Sequence, residues 1–300
     1  ETLQRMVEAG MTGIRMNLSH GPLSAHKDWL DIIHAVGIPQ LLIDLQGPEL
    51  RIGTLPQPLV LEPGQSLRLG QGGVPCPAAL VHAARPGQNL LLDDGRLLVQ
   101  VAEADGAALQ CTVVRGGTLQ SRKSLAAPGL EVASPTLTEA DLQNLQLAGA
   151  CGVTGVMLGA EDIRTLRRAL EQAGAGQIRI FAKIENLAGV RTLPEFLPLV
   201  DEVVIARGDL GNAMPLWELP RCQKQLSAVC RSAGVPFMVV TQMLDSMCSR
   251  AVPTRAEVSD IYNAVADGAS SVMLTGETAA GQYPVEAMEY LVRTARTALE

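Results

Sequence analysis

Along most of the chain a short apolar run ends on a polar residue and gives way to a stretch with 3.6-residue periodicity, the alternation expected of strand followed by helix. Seven such runs occur, at 13–16, 40–44, 154–158, 178–184, 202–206, 237–240 and 271–274. Between them, amphipathic patterns predict helices over 141–150, opened by the capping-box-like Thr138-Glu-Ala-Asp141, and over 160–173, 217–233, 254–266 and 284–298. Strands that alternate with helices imply a parallel sheet covered on both faces, the α/β class.

From 52 to 131 the texture changes to short strands punctuated by Pro-Gly, Gly-Gly and Asp-Gly turns, which reads as an inserted all-β module. The expected organisation is a first barrel part over 1–51, a β cap domain over 52–131 and the rest of the barrel over 132–300. Leaving after the second strand and returning before the third, the module is expected to cap the end of the sheet that carries the post-strand loops. Seven parallel strands are one short of a TIM (β/α)8-type barrel, and the opening segment 1–10 reads as a helix that follows a strand. The first strand is therefore expected upstream of residue 1. A chain that opens Glu-Thr-Leu-Gln-Arg-Met, with neither an initiating Met nor an apolar secretory segment, is the start expected of a sequence entered partway into a gene.

Composition narrows the chemistry. The 300 residues, 47 % of them apolar and 18 % charged, suit a folded chain of about two domains, at roughly 100–200 residues each. No run approaches the roughly 18 apolar residues of a membrane span. With 24 Lys and Arg against 31 Asp and Glu, and only eight aromatic residues, neither a nucleic-acid backbone nor base stacking is expected as a partner. Six scattered cysteines show no metal-ligand spacing and read as reduced thiols of a cytoplasmic protein. The four histidines end at position 82, which excludes a His-based triad or zinc site in the last two thirds of the chain.

In an α/β barrel the chemistry sits where strands end, and the polar residues that close these runs are Arg15, Asn17, Asp44, Lys183, Glu185, Asp209, Thr241, Thr275 and Glu277. Because strand side chains alternate, Lys183 and Glu185 face the same side, as an internal salt bridge or as catalytic neighbours. Glu185 and Asp209, from consecutive strands, offer two hard oxygen ligands suited to Mg²⁺; taken alone, Asp209 is equally a helix-turn cap. Thr241 and Thr275, singly, read best as helix caps. Asp93-Asp-Gly95 reads as a hairpin turn, and the segment Gly116 to Lys123 either as a connection with solvated basic residues or as an arm delivering Lys123 to a phosphate.

Together these segments resemble the pyruvate kinase family from near residue 2 to about 290. The motifs that carry the resemblance, in the family's order, are Gly13-Ile-Arg-Met-Asn-Leu-Ser-His-Gly21, Ile43-Asp-Leu-Gln-Gly-Pro-Glu-Leu-Arg51, Asp93-Asp-Gly95, Lys183-Ile-Glu-Asn186, Ala206-Arg-Gly-Asp-Leu-Gly211, Thr241-Gln-Met-Leu-Asp-Ser-Met247, and Pro253-Thr-Arg-Ala-Glu-Val-Ser-Asp260 continuing to Leu274-Thr-Gly-Glu-Thr-Ala279. The resemblance implies phosphoryl transfer from phosphoenolpyruvate to ADP, giving pyruvate and ATP. It implies Lys183 at the transferring phosphoryl, with Arg15 and Lys123 also on phosphate. Mg²⁺ or Mn²⁺ falls to Glu185 and Asp209. The substrate carboxylate falls to the amides of Gly208 and Asp209 and the Thr241 hydroxyl, and protonation of enolpyruvate to Thr241, Thr275, Glu277 and water. Asn17, Ser19, Asp44 and the Leu45 carbonyl match a K⁺ site, with Glu49 the carboxylate of potassium-requiring members, while Asn17, Leu18, Ser19, His20, Arg51 and Lys123 match nucleotide contacts. A homo-oligomer through the barrel is a further implication.

Departures from the family pattern are the absent first strand, which in the family carries Cys-Thr-Ile-Gly-Pro, the absent C-terminal regulatory domain, Leu45-Gln46 for Thr-Lys, Leu187-Ala188 after Lys-Ile-Glu-Asn, and Ala213 for Glu. Two other readings share part of the pattern. One is a metal-dependent pyruvate-enolate lyase or aldolase, which needs neither Lys183 nor the cap; the other is a truncated, non-catalytic relative.

Overall fold

A computed structural model of the chain describes residues 1–45, 47, 50–93, 95–130, 137–160 and 163–300. By packing these fall into two compact units, residues 1–47 with 137–300 and residues 48–136.

In chain order the first unit opens with α1 (Thr2–Ala9), β1 (Gly13–Asn17), α2 (Lys27–Val36) and β2 (Gln40–Asp44). The second unit holds β3 (Leu59–Leu61), β4 (Ser66–Gly70), the short helix α3 (Ala78–Ala83), β5 (Asn89–Leu92), β6 (Leu97–Ala104), β7 (Ala108–Arg115), β8 (Gly117–Leu119) and β9 (Leu125–Ala126). The first unit then resumes with α4 (Glu139–Ala148), β10 (Gly155–Gly159), α5 (Ile163–Gln172), β11 (Arg179–Ile184), α6 (Leu187–Phe196), β12 (Glu202–Ala206), α7 (Arg207–Asn212), α8 (Leu219–Ala233), β13 (Phe237–Val240), α9 (Arg255–Ala266), β14 (Ser271–Met273), α10 (Gly276–Ala279) and α11 (Pro284–Thr297).

The seven strands of the first unit form one curled, wholly parallel sheet in the order β1-β2-β10-β11-β12-β13-β14, a TIM-type barrel with β1 and β14 as its edges among the described residues. Strand periodicity decides what this curl encloses. Leu42, Met157, Phe181, Val204, Ala206, Met238 and Val240 pack together on the inner face, while Leu41, Ile43, Val156, Ile180, Val203 and Ile205 turn outward under the helices. Phe181 fills the interior because β10 presents Gly155 to it: a Cβ there would lie 2.5 Å from the Phe181 ring and 2.6 Å from Leu42. Helix boundaries follow local chemistry. Thr138 and Asp141 close a capping box on α4, Thr254 and Glu257 another on α9, and Gly10, in the left-handed region at φ 113°, ends α1.

The second unit is a five-stranded antiparallel sheet, β4-β7-β6-β5-β9, and the pair β3-β8, around its own core of Leu69, Leu80, Leu90, Leu92, Val99 and Leu109. Helix α3 is the exception to its β texture. Gln46, Pro48, Glu49, Asp94, residues 131–136, Glu161 and Asp162 lie outside the described residues, so the carboxylate expected at Glu49 is among the positions not described.

Candidate active site

Every strand residue of β11 on the inner face belongs to one column: Arg179, Phe181, Lys183 and, just past the strand, Glu185. Register then brings other strand ends to this height. Lys183 lies opposite Gly159 of β10, Asp44 opposite Met157 of β10, and Asn17 of β1 opposite Asp44. At the polar end of the inner face the Lys183 ammonium stands 2.8 Å from Glu185 Oε1 and 3.0 Å from Asp44 Oδ1. Burial disfavours the charged ammonium, but the fields and hydrogen bonds of Glu185 and Asp44 together outweigh it, so the Lys183 pKa is raised and the amine stays protonated. Asp44, only 3 % exposed, gives its other oxygen to Arg15, which donates through both Nε, at 3.1 Å, and Nη2. Among the described residues, Asp44 Oδ1 faces the Lys183 ammonium.

The next strand ends supply backbone. Ala206 closes β12 and α7 begins at once, with Gly208 and Asp209 in its first turn and no side-chain N-cap. Asp209 therefore sits inside the turn and is not its N-cap residue. Gly208 packs closely on Thr241: a Cβ there would lie 3.0 Å from Thr241 Cγ2, a tight contact, and 3.6 Å from its Oγ1. Thr241, just past β13, is no helix cap either: it and Gln242 both occupy the left-handed region, at φ 80° and 54°. Thr275 precedes α10 without a side-chain cap bond, and its amide donates to Glu277 Oε2 at 2.7 Å. Glu277 is 2 % exposed, and its other oxygen accepts the Leu244 amide at 2.9 Å, so the carboxylate braces the segment after Thr241.

On β1, Asn17 Oδ1 accepts the Ser19 amide at 3.1 Å and sets up a short 3-10 turn over Leu18–His20, with Leu18 buried in the core and His20 exposed. Leu45 is buried, its amide donating to Met157 O at 3.1 Å.

The second unit gathers its own charged group. Asp93 begins the hairpin between β5 and β6 at φ 51°, followed by Gly95 at φ 79°. It is buried, and its Oδ1 lies 2.7 Å from Lys123 Nζ. Arg51 bridges Ser124 in an antiparallel contact and donates to the Arg122 carbonyl at 3.0 Å, while the Ile52 amide donates to the Lys123 carbonyl. The segment ending in Lys123 is thus tied by backbone hydrogen bonds to the strand of Arg51, and the two expected nucleotide contacts are neighbours.

Among the described residues no group of three or more His, Cys, Asp or Glu side chains is arranged to hold a metal. Glu185 follows β11 and Asp209 lies in the first turn of α7 after β12, and hard carboxylate oxygens of this kind suit Mg²⁺ that keeps water and substrate oxygens as its other ligands. Asn17 and Asp44, opposite each other on neighbouring strands, carry oxygen donors of the kind a monovalent cation takes.

The sequence matches the family described as pyruvate kinase, barrel domain, over residues 1–288. The chain belongs to the pyruvate kinase family. Curated pyruvate kinases similar to it include those of Chlamydia pneumoniae, 37 % identical over 97 % of this chain and 64 % of the relative, and Mycobacterium tuberculosis, 35 % identical over 98 % and 66 %. That of Sporosarcina psychrophila is 36 % identical over 99 % of the chain and 54 % of the relative. The chain thus spans about half to two thirds of the length of the pyruvate kinases it matches.

One residue escaped the motif reading. Arg207, in the family segment Ala206-Arg-Gly-Asp, donates to Asp260 Oδ2 at 2.6 Å and to the Thr241 carbonyl at 2.7 Å. The available signal was a charged residue directly after a fully buried strand, where solvation alone gives it no reason to stand.

Proposed function

We propose that the chain transfers the phosphoryl group of phosphoenolpyruvate to ADP, giving pyruvate and ATP. The observation that carries this reading is the Lys183 ammonium, held charged between Asp44 and Glu185 at the polar end of the barrel's inner face. Phosphoryl transfer needs positioning and positive charge around the equatorial oxygens more than covalent help. Lys183 and Arg15 supply that charge from the barrel, with Asp44 fixing both. Arg51 and Lys123 supply it to the nucleotide from the β unit, whose 52–131 segment acts as the cap domain, and the turn over Asn17, Leu18, Ser19 and His20 adds nucleotide contacts.

The amides of Gly208 and Asp209 and the Thr241 hydroxyl receive the substrate carboxylate. As the bridging P–O bond breaks and the β-phosphate oxygen of ADP forms its bond to phosphorus, the electron pair left on the enolate returns to carbon, which takes a proton. Thr241 and Thr275, with water, deliver it, and Glu277 serves that relay by bracing Thr275 and Leu244. Glu185 and Asp209 would hold Mg²⁺ or Mn²⁺, and Asn17, Ser19, Asp44 and the Leu45 carbonyl would hold K⁺. Bound there, the divalent cation supplies charge neutralisation to substrate oxygens and to the enolate.

A cytoplasmic enzyme that associates through its barrel is the setting we assign. The cytoplasmic part of that setting is supported by six free cysteines.

The test is pyruvate formation from phosphoenolpyruvate and ADP with Mg²⁺ and K⁺, by this chain and by a version preceded by the family's first strand, each beside Lys183→Met. Turnover that vanishes with Lys183 supports the kinase. Folded protein without turnover in both versions overturns it, and proton exchange into pyruvate that survives Lys183→Met indicates a lyase. Replacing K⁺ with tetramethylammonium should abolish turnover.

A further inference from the structure

Thr241 and Gln242 are consecutive residues in a backbone region that side-chain-bearing residues enter rarely and at a cost. Such a turn persists only where its surroundings over-determine it, and the structure identifies the restraint. The Arg207 guanidinium, on the first residue of α7, reaches back to the loop after β13: Nη2 and Nε donate to the Thr241 carbonyl at 2.7 and 3.2 Å, and Nη2 also approaches the Gln242 carbonyl at 3.3 Å and Met243 Sδ at 2.9 Å. Nη1 is anchored by Asp260 on α9 at 2.6 Å. The planar fork of an arginine can serve two carbonyls and a carboxylate at once, and a lysine ammonium cannot do so in this geometry.

The same residue adjoins Gly208, whose missing side chain lets Thr241 lie against the α7 backbone. One side chain therefore fixes the distance between the two groups assigned to the substrate carboxylate, the Gly208–Asp209 amides and the Thr241 hydroxyl. We propose that Arg207 is a positioning residue that holds the Thr241–Gln242 turn in its left-handed conformation, keeping the Thr241 hydroxyl in register with the amides of α7. This rests on the phosphoryl-transfer reading for what the hydroxyl does, but the clamp itself is a property of the backbone and is measurable without turnover.

Two variants test it. Arg207→Lys keeps a positive charge for Asp260 and loses the fork. Adding Gln242→Gly gives the second turn residue a backbone that adopts positive φ freely. Hydrogen exchange of the 241–244 segment in Arg207→Lys should quicken at least tenfold while α9 keeps its protection, and kcat should fall about thirtyfold with the phosphoenolpyruvate KM within threefold, the cost of a small misplacement near the reacting atoms. The double variant should recover about tenfold of that kcat, because it restores the turn by another route; an Arg207 that merely ties α7 to α9 would show no such rescue. Unchanged exchange at 241–244, or quickened exchange with unchanged kcat, overturns the proposal. If the parent chain makes no pyruvate, the phosphoryl-transfer reading falls and exchange alone decides the clamp.

Discussion

At the N-terminal ends of the barrel strands, Glu202 is 5 % exposed and both its oxygens have donors within the protein: Ser271 Oγ at 2.5 Å and Ser270 Oγ at 3.1 Å on one, Arg179 Nη2 at 3.2 Å on the other. Arg179 also lies over the Phe181 ring, 4.8 Å from its centroid. At the C-terminal ends of the same strands, one ammonium is shared between two carboxylates, those of Asp44 and Glu185. Both ends carry acid and base on the same inner face. The lower one is satisfied from within, whereas at the upper one a single ammonium serves two carboxylates at the strand ends where barrel chemistry sits, which suits a site completed by substrate and cations.

Single substitutions at the two ends should separate activity from stability. Lys183→Met should lower turnover by a thousandfold or more, the scale of removing a cation from a phosphoryl-transfer site. Its stability should fall less than its activity, because Asp44 Oδ1 loses its ammonium but the carboxylate keeps Arg15, and Glu185 is partly solvated. Glu202→Ala should do the reverse. It leaves Arg179 and two serine hydroxyls without their acceptor, at about 3 kcal/mol of stability by denaturant unfolding, while kcat per folded molecule stays within twofold. A Lys183→Met protein that loses several kcal/mol, or a Glu202→Ala protein that loses activity while folded, would erase the distinction between the two ends.

Much of this architecture is legible in the sequence because period-2 alternation is a local property. Residues two apart on one strand must share a face, so Lys183 and Glu185 could be paired before any coordinates, and the observed 2.8 Å contact follows. The third partner, Asp44, lies 139 positions earlier than Lys183, and its arrival depends on the stagger of β2, β10 and β11, which no local pattern encodes. The turn at Thr241 and Gln242 was illegible for another reason. Neither residue is Gly or Asn, so its positive φ values are imposed by Arg207 from the neighbouring α7, and not by local preference. The 3-10 turn after β1 lies between, since Asn17 is a natural cap but the burial of Leu18 is a tertiary fact.

The smallest effect sharpens the comparison where the upper end meets its scaffold. Glu257 on α9 is satisfied like Glu202: Ser246 donates to it through its amide at 2.8 Å and its hydroxyl at 2.6 Å, and Thr254 does so through both its amide and hydroxyl at 2.8 Å. Its partial burial raises the pKa, but these four donors favour the carboxylate more strongly and leave the pKa below the usual 4.5. A group whose folded pKa is depressed stabilises the fold above its unfolded pKa and loses that contribution as pH falls through the folded value. Glu257→Gln should therefore cost about 1 kcal/mol at pH 7, the scale of a helix cap, and the gap from the parent should close steadily as pH falls below about 4.5. Denaturant unfolding of both proteins between pH 3 and 7 measures it. A gap that persists unchanged to pH 3 would mean that the shape of the side chain, and not the charge of its carboxylate, supports the loop that carries Thr241.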